Sequence, residues 1–261
     1  MSDIIGSITH LFVKPKHGVE MLECKEIHMK VGSGIDGDIN SNAISPRQVL
    51  LVRYEDLETL SIPCGELREN IVLSGIDAKD FSPGAVLKTN SGAAVRLTFY
   101  CEPCKRIAHL VDSIKSIEGK RGILGVILGD ITLKVGDQAY IQPNIFPALS
   151  EIPYERFLDF ISKIPVGKVV TYKQIVIGIG VTEGYFRAIP KYLQKASVSG
   201  YPVHRVLDSE GNLTPHVKDQ KEKLEAENID VISESGLFAE MNKSFVSVKK
   251  YLWEDSTIYL T

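Results

Sequence analysis

No apolar run in this 261-residue sequence approaches the roughly 20 residues that cross a bilayer, because Lys, Asp or Glu interrupts every candidate. A soluble protein with no membrane role is expected. Cysteine is scarce: Cys24, Cys64, Cys101 and Cys104 are too few for a disulfide framework in a chain of this length. The stretch from Met1 to Leu22 also lacks the basic-then-apolar order of a signal peptide, so a reducing, cytoplasmic setting is expected. An excess of charge of one sign is missing as well. Thirty Lys and Arg against 33 Asp and Glu leave a net charge of -3, so any nucleic-acid contact must be local. What is present is globular: 44% hydrophobic and 24% charged residues exclude disordered and collagen-like classes, and the length suits two ordinary domains.

From Ile4 to Ile141 the apolar stretches are short and bounded by turn residues: Ile4-Ile8, Arg47-Val52, Asn70-Leu73, Ala85-Lys88, Ala94-Phe99, Gly125-Leu128 and Gln138-Ile141. Strands of that length, separated by glycine-rich turns, predict a compact barrel or sandwich, with one helix at Tyr54-Leu60. Between Gln142 and Pro153 three prolines accumulate and the pattern changes, which places a domain boundary there. Beyond it Phe157, Leu158, Ile161 and Ile164 recur at helical spacing until Pro165-Val166-Gly167 stops the helix. Thr171 with Gln174 forms a capping box for a second helix, and Thr182 is a candidate N-cap for a third that carries Arg187. Helix, short turn, helix is the cadence of a helix-turn-helix. The tail from Val231 carries Leu237, Phe238, Phe245, Val246, Val248, Tyr251, Leu252 and Trp253, enough apolar character for a segment that packs back on the body.

Cys104 follows a predicted strand and precedes Lys105 and Arg106, so it is a candidate nucleophile or soft-metal ligand in a positive setting. The pair Cys101-x-x-Cys104 alone does not make a zinc site, which needs about four ligands, and there is no second such pair. Two ordinary half-buried thiols are the plain alternative. Taken together, Gly34-Ile35-Asp36-Gly37-Asp38, Arg47-Gln48-Val49, Leu67-Arg68-Glu69-Asn70-Ile71, Pro83-Gly84, Glu102-Pro103-Cys104, Arg121-Gly122 and Val135-Gly136-Asp137 resemble, in order, the landmarks of the MOSC domain, the C-terminal domain of molybdenum-cofactor sulfurase. The resemblance covers about residues 4–141. It implies a β-barrel-like domain whose cysteine, here Cys104, carries sulfur or ligates molybdenum. It further implies a molybdenum cofactor held by Arg47, Arg68, Arg121 and Asn70. Arginine suits the cofactor's phosphate through its planar donor fork, although each could instead pair with a carboxylate such as Glu69. Some relatives reduce N-hydroxylated bases and amidoximes with the help of a redox partner. Others are sulfur carriers loaded by pyridoxal-phosphate-dependent cysteine desulfurases.

The segments Ile164 to Ile175, Arg187-Ala188, Tyr201-Pro202-Val203-His204-Arg205-Val206, Gly211-Asn212 and Gln220 to Glu227 resemble the DNA-binding domain of O6-alkylguanine-DNA alkyltransferases. In the active proteins the motif reads Pro-Cys-His-Arg-Val, and here Val203 stands in the acceptor's place. Valine has no nucleophilic atom, so the resemblance narrows to alkyltransferase-like proteins that bind alkylated guanine in double-stranded DNA without repairing it. It makes Arg187 the finger that fills the stack and Tyr172 the residue that turns the nucleotide, with Lys168, Lys173 and Arg205 as further DNA contacts. His204 and Glu227 become structural remnants. From Glu151 to Leu207 there are eight basic residues against four acidic ones, which suits phosphates. Three departures weigh against close transfer: Glu183 near the groove, Pro215-His216 in the pocket loop, and Pro190 just after Arg187, which predicts a recognition helix that is kinked or starts late. The expected architecture is therefore α+β in two domains: a mostly-β, barrel-like MOSC domain over residues 1–145 and a small winged-helix or helix-turn-helix domain over 151–230, followed by an extension over 231–261.

Overall fold

The computed structural model describes residues 6–234, 243–255 and 257–260. They form two compact units, 6–151 together with 257–260, and 152–255. The chain thus leaves the first unit after Glu151 and returns to it for its last residues. The expected extension over 231–261 is divided between the two units, and Leu237 and Phe238 lie outside the described residues, as do Ile4 and Ile5 of the first predicted strand.

In the first unit, strands β1 (Gly6–Val13), β2 (Leu22–Cys24), β3 (Glu26–Lys30), β4 (Gly34–Ile35) and β5 (Val49–Arg53) precede helix α1 (Tyr54–Leu60). Then follow β6 (Ile71–Ser74), β7 (Val86–Thr89), β8 (Ala94–Tyr100), β9 (Ile123–Ile127), β10 (Ile131–Lys134) and β11 (Gln138–Gln142). Seven strands pair in the order β11-β7-β8-β9-β5-β6-β1, and β1 pairs with β11 through Gly6 and Ala139 to close a barrel. Closure removes the open edges that would otherwise invite further pairing. All seven apolar stretches expected from the sequence fall on these seven strands. Strands β3, β4 and β10 form a separate small sheet that was not expected. Along β3, Ile27 and Met29 are buried and Glu26, His28 and Lys30 are exposed, an alternation that spans only five residues.

Side chains alternate between two apolar clusters along β5, β6 and β9, as a period of two requires. Val49 and Leu51 join Ile8, Leu73, Val95, Leu97 and Ile127 in one cluster, while Leu50 and Val52 join Phe12, Val72 and Leu124 in the other with Leu57 of α1. On β8 the register shifts between Leu97 and Tyr100. An irregularity of that kind reverses the phase of alternation, and Phe99 and Cys101 accordingly sit in the second cluster, not with Val95 and Leu97. The bulge therefore decides on which side of the barrel wall the Cys101–Cys104 turn emerges.

In the second unit, helix α2 (Pro153–Ser162) opens with proline in its first turn and buries Phe157, Phe160 and Ile161. Burying each such side chain contributes about 1.5–3 kcal/mol. The two-residue strand β12 (Val170–Thr171) leads into α3 (Tyr172–Gly178), whose capping box pairs Thr171 and Gln174 reciprocally. At Gly178 a Cβ would meet the Phe160 ring at 2.1 Å, so glycine is what lets α3 lie against α2. A 3-10 turn spans Glu183–Ala188, and only then does α4 (Ile189–Ser197) begin, with Pro190 in its first turn. The helix expected to read DNA starts late, at Ile189, and the proline sits where its missing N–H has no partner to lose. Arg187 consequently lies in the 3-10 turn and not in the helix expected to carry it. A second 3-10 turn, Val203–Arg205, precedes β13 (Val206–Leu207), which pairs in parallel with β12. Helix α5 (Gln220–Ala226) and the antiparallel strands β14 (Val231–Glu234) and β15 (Lys243–Val246) follow, then α6 (Val248–Tyr251). The residues after α6 pack on the unit: Trp253 N–H donates to the Val169 carbonyl at 2.8 Å, and the Trp253 carbonyl accepts from Gln174 Nε2 at 2.8 Å.

Candidate functional sites

The first site is built on the turn after β8. Cys101 is buried, whereas Cys104 is half-buried and opens a 3-10 turn, Lys105–Leu110, whose Ile107 anchors in the second apolar cluster. Arg121 reaches the turn from β9's approach. Its Nη1 donates to Cys101 Sγ at 2.8 Å and to the Glu102 carbonyl at 2.7 Å. Arg121 can do so because Gly122, at φ +89°, lies so close to β5 that a Cβ would stand 2.1 Å from the Leu51 carbonyl.

Cations gather around these thiols. Burial, then Arg106, lowers the Arg68 guanidinium from its ordinary value, with Cys104 opposing and Arg121 adding to the shift. Lys14, 7% exposed, is lowered by burial and then by Arg68 and Arg106, with Asp38 pulling the other way. Burial pushes the Cys101 thiol up, against Arg121 and Arg47. Lys14, Arg47, Arg68, Arg106 and Arg121 are thus one electrostatic neighbourhood with Cys101 and Cys104. Of the residues expected here, Arg47 is half-buried and Arg68 sits in a tight turn at φ +65° with its N–H bonded to the Gly65 carbonyl. Arg106, expected as part of the positive setting of Cys104, belongs to the same cluster, and so does Lys14, which was not assigned from sequence; a lysine closing an apolar strand was its signal.

Two residues expected as cofactor contacts are engaged by the protein's own groups. Asn70 is 2% exposed, and its amide is taken up by the protein: Oδ1 accepts from Leu50 N–H, and Nδ2 donates to the Phe12 carbonyl and to Asp38 Oδ2. It braces the strands and the Asp38 carboxylate, which also accepts the Lys14 N–H at 2.9 Å. Arg121, 6% exposed, is spent largely on Cys101 and Glu102. Its Nε and the Oε2 of fully buried Glu69 are left without protein partners, and burial pushes the Glu69 carboxyl up against the hydrogen bond from Gly65 N–H. Among the described residues no three His, Cys, Asp or Glu side chains gather to hold a metal ion.

The second site surrounds Val203, which is buried at the head of its 3-10 turn. Burial opposes charge on Glu227, yet hydrogen bonds from Arg205, His204 and the Gly167 N–H bring its carboxyl down to about 2. His204 Nε2 is 2.7 Å from Glu227 Oε1, and Arg205 Nη1 also donates to the Ile164 carbonyl at 2.6 Å. Arg205, expected as a DNA contact, bonds Glu227 and the Ile164 carbonyl within the unit. Gln220 holds the same turn from the other side, donating to the His204 and Val206 carbonyls. Lys168, Lys173 and Arg187 are exposed. Tyr172 is half-buried at the start of α3; burial raises its phenol, opposed by a hydrogen bond with Thr214.

A closed β barrel with a thiol-bearing turn is followed by a helical unit, residues 152–255, that contains no cysteine. Residues 42–140 match the MOSC domain, and residues 152–229 match the 6-O-methylguanine DNA methyltransferase, DNA binding domain. The chain carries a MOSC domain followed by an alkyltransferase-like DNA-binding domain. Similar solved structures include the YuaD protein from Bacillus subtilis, 17% identical with TM-score 0.47, covering 54% of this chain and 97% of that one. YiiM from Geobacillus stearothermophilus is 15% identical with TM-score 0.43, covering 85% and 98%. S. pombe Atl1, in complex with damaged DNA containing O6-carboxymethylguanine, is 24% identical with TM-score 0.34, covering 39% and 94%. No curated protein matches the chain. Among the described residues no helix is long and apolar enough to cross a membrane.

Proposed function

We propose that the first unit holds a molybdenum cofactor at Cys104 and reduces N-hydroxylated compounds or bases, and that the second unit recognises alkylated guanine in double-stranded DNA without repairing it. The observation that carries the first half is the half-buried Cys104 thiol, coupled to Arg68 and two residues ahead of Arg106, with Lys14 coupled to both of those arginines. The donor set fits the group. Molybdenum is soft enough to take a thiolate, and with one thiol and no cluster of further ligands among the described residues, the metal has to arrive with its other ligands attached. Arg68, Arg106, Arg47 and Lys14 supply the positive charge that a cofactor phosphate needs. When bound, the cofactor supplies the two-electron chemistry that removes the hydroxyl oxygen from nitrogen. The protein's part is to hold the anion, present Cys104 and keep Cys101 out of reach in the core.

The same thiol among cations also suits a persulfide, whose terminal sulfur is anionic, and this sulfur-carrier reading needs a cysteine desulfurase as partner where the first needs a redox partner. All four cysteines are free, in keeping with a reducing cytoplasm. Elemental analysis of protein from a cofactor-competent host separates the two. Molybdenum in wild type and none in Cys104→Ser supports the cofactor; sulfane sulfur on Cys104 without metal supports the carrier. For the second unit, the exposed Lys168, Lys173 and Arg187 support contact with DNA.

A further inference from the structure

We infer that Arg121 is a positioning residue that fixes the Cys101–Cys104 turn from behind, through Cys101 Sγ and the Glu102 carbonyl, and so sets how Cys104 is presented. The inference deepens the cofactor reading and rests on it for what Cys104 then does.

One nitrogen makes both contacts. Nη1 carries two hydrogens, and they meet Cys101 Sγ at 2.8 Å and Glu102 O at 2.7 Å. The backbone of the same dipeptide adds a third tie, because the Gly122 carbonyl accepts from the Cys101 N–H at 2.9 Å. Gly122 cannot drift away without leaving its packing on the Leu51 carbonyl. At the far end of the turn, Ile107 is fully buried and its N–H bonds to the Cys104 carbonyl at 3.1 Å. Both flanks of Cys104 are anchored, and its own thiol, half-buried, lies between the anchors. Arg121 is 6% exposed and Cys101 3%, so the guanidinium is placed for the protein's own groups more than for an external ligand. This also gives Cys101 a role that needs no metal: it accepts a guanidinium hydrogen, and a buried cation without such acceptors would be costly.

The test reads Cys104 directly in the full chain without added cofactor. Iodoacetamide labelling of Cys104, followed by peptide mass mapping, is paired with hydrogen exchange over residues 101–106. Arg121→Gln and Cys101→Val should each speed Cys104 labelling about tenfold, the scale set by losing one hydrogen bond to a charged group. Cys101→Ser keeps an acceptor and should label as wild type does, and Arg121→Lys keeps a charged donor and should fall between. The double variant Arg121→Gln/Cys101→Val should be no faster than Arg121→Gln alone, because Arg121→Gln already removes the contact that Cys101→Val breaks. Wild-type labelling rates in Arg121→Gln and Cys101→Val overturn the inference, and so does additivity in the double variant. If Arg121→Gln does not fold, Arg121→Lys against Cys101→Val and Cys101→Ser decides. Molybdenum content of the wild type is read separately: its absence overturns the cofactor reading and leaves the labelling result standing.

Discussion

Arg205 meets Glu227 side-on, with Nε 3.0 Å from both carboxylate oxygens and Nη2 2.7 Å from Oε1. The same carboxylate accepts the Gly167 N–H and pairs with His204, so one side chain joins the turn after α2 to the turn that carries Val203. The network's visible work is to hold these two turns together.

Glu227 should make folding of the second unit pH-dependent. Its carboxyl lies at about 2 in the folded state against 4.5 ordinarily. The depressed value means the stabilisation is fully present above pH 4.5 and is lost as pH falls toward 2. After allowance for solvent screening, the contribution is about 1–2 kcal/mol. Thermal melts of wild type and Glu227→Gln should therefore differ most at neutral pH and converge as the pH drops below 4.5. A gap that stays constant from pH 7 to pH 3 would contradict the assignment.

Gly122→Ala should damage the first unit. The new Cβ would stand 2.1 Å from the Leu51 carbonyl on a backbone at φ +89°, and neither strand can give way without breaking the pairing of β5 with β9. A loss of more than about 2 kcal/mol is expected. Urea unfolding of the variant against wild type reads it, and an unchanged midpoint would contradict the close approach.

The barrel was legible because its seven strands are short apolar runs between turn residues, and α1 because Tyr54–Leu60 interrupts that pattern with helical spacing. The capping box of α3 was legible because Thr171 and Gln174 act over three residues, a purely local bond pair. What escaped is nonlocal. The register shift on β8 shows only once β9 is beside it, and it decides that Cys101 turns into the second cluster. Lys14 joins the cationic group because Arg68 and Arg106, far along the chain, come close enough to act on its charge. Arg205 and Asn70 carry the polarity of ligand contacts in one dimension, and in three they are satisfied by Glu227 and Asp38.

No alkyl group should transfer from O6-methylguanine DNA to this chain at any protein concentration. Val203 offers no nucleophile, and residues 152–229 contain no cysteine at all. Intact-mass spectrometry after incubation with excess alkylated duplex should show the unmodified mass. A stoichiometric methyl adduct in the second unit would break the argument.

Arg187 should govern preference for the lesion, while Lys168 and Lys173 govern affinity in general. Arg187 is exposed at the end of the 3-10 turn that packs against both α3 and α4, so its side chain starts from a rigid base just ahead of the recognition helix. Extruding a base costs a few kcal/mol, and a group that fills the vacated stack offsets that cost only when extrusion occurs. Loss of Arg187 therefore weakens binding to alkylated duplex more than to unmodified duplex. A lysine that touches only phosphate contributes equally to both, and its loss reduces the salt dependence by about one counterion. Fluorescence-anisotropy titrations of O6-methylguanine and guanine duplexes at two salt concentrations separate these roles: Arg187→Ala should shrink the ratio of the two affinities, whereas Lys168→Ala and Lys173→Ala should keep the ratio and shallow the salt slope. Wild type that binds neither duplex more tightly than the roughly 10⁻⁴ M limit of nonspecific association would mean that Glu183, exposed in the same turn, has disabled the groove contact, and the DNA reading would fall.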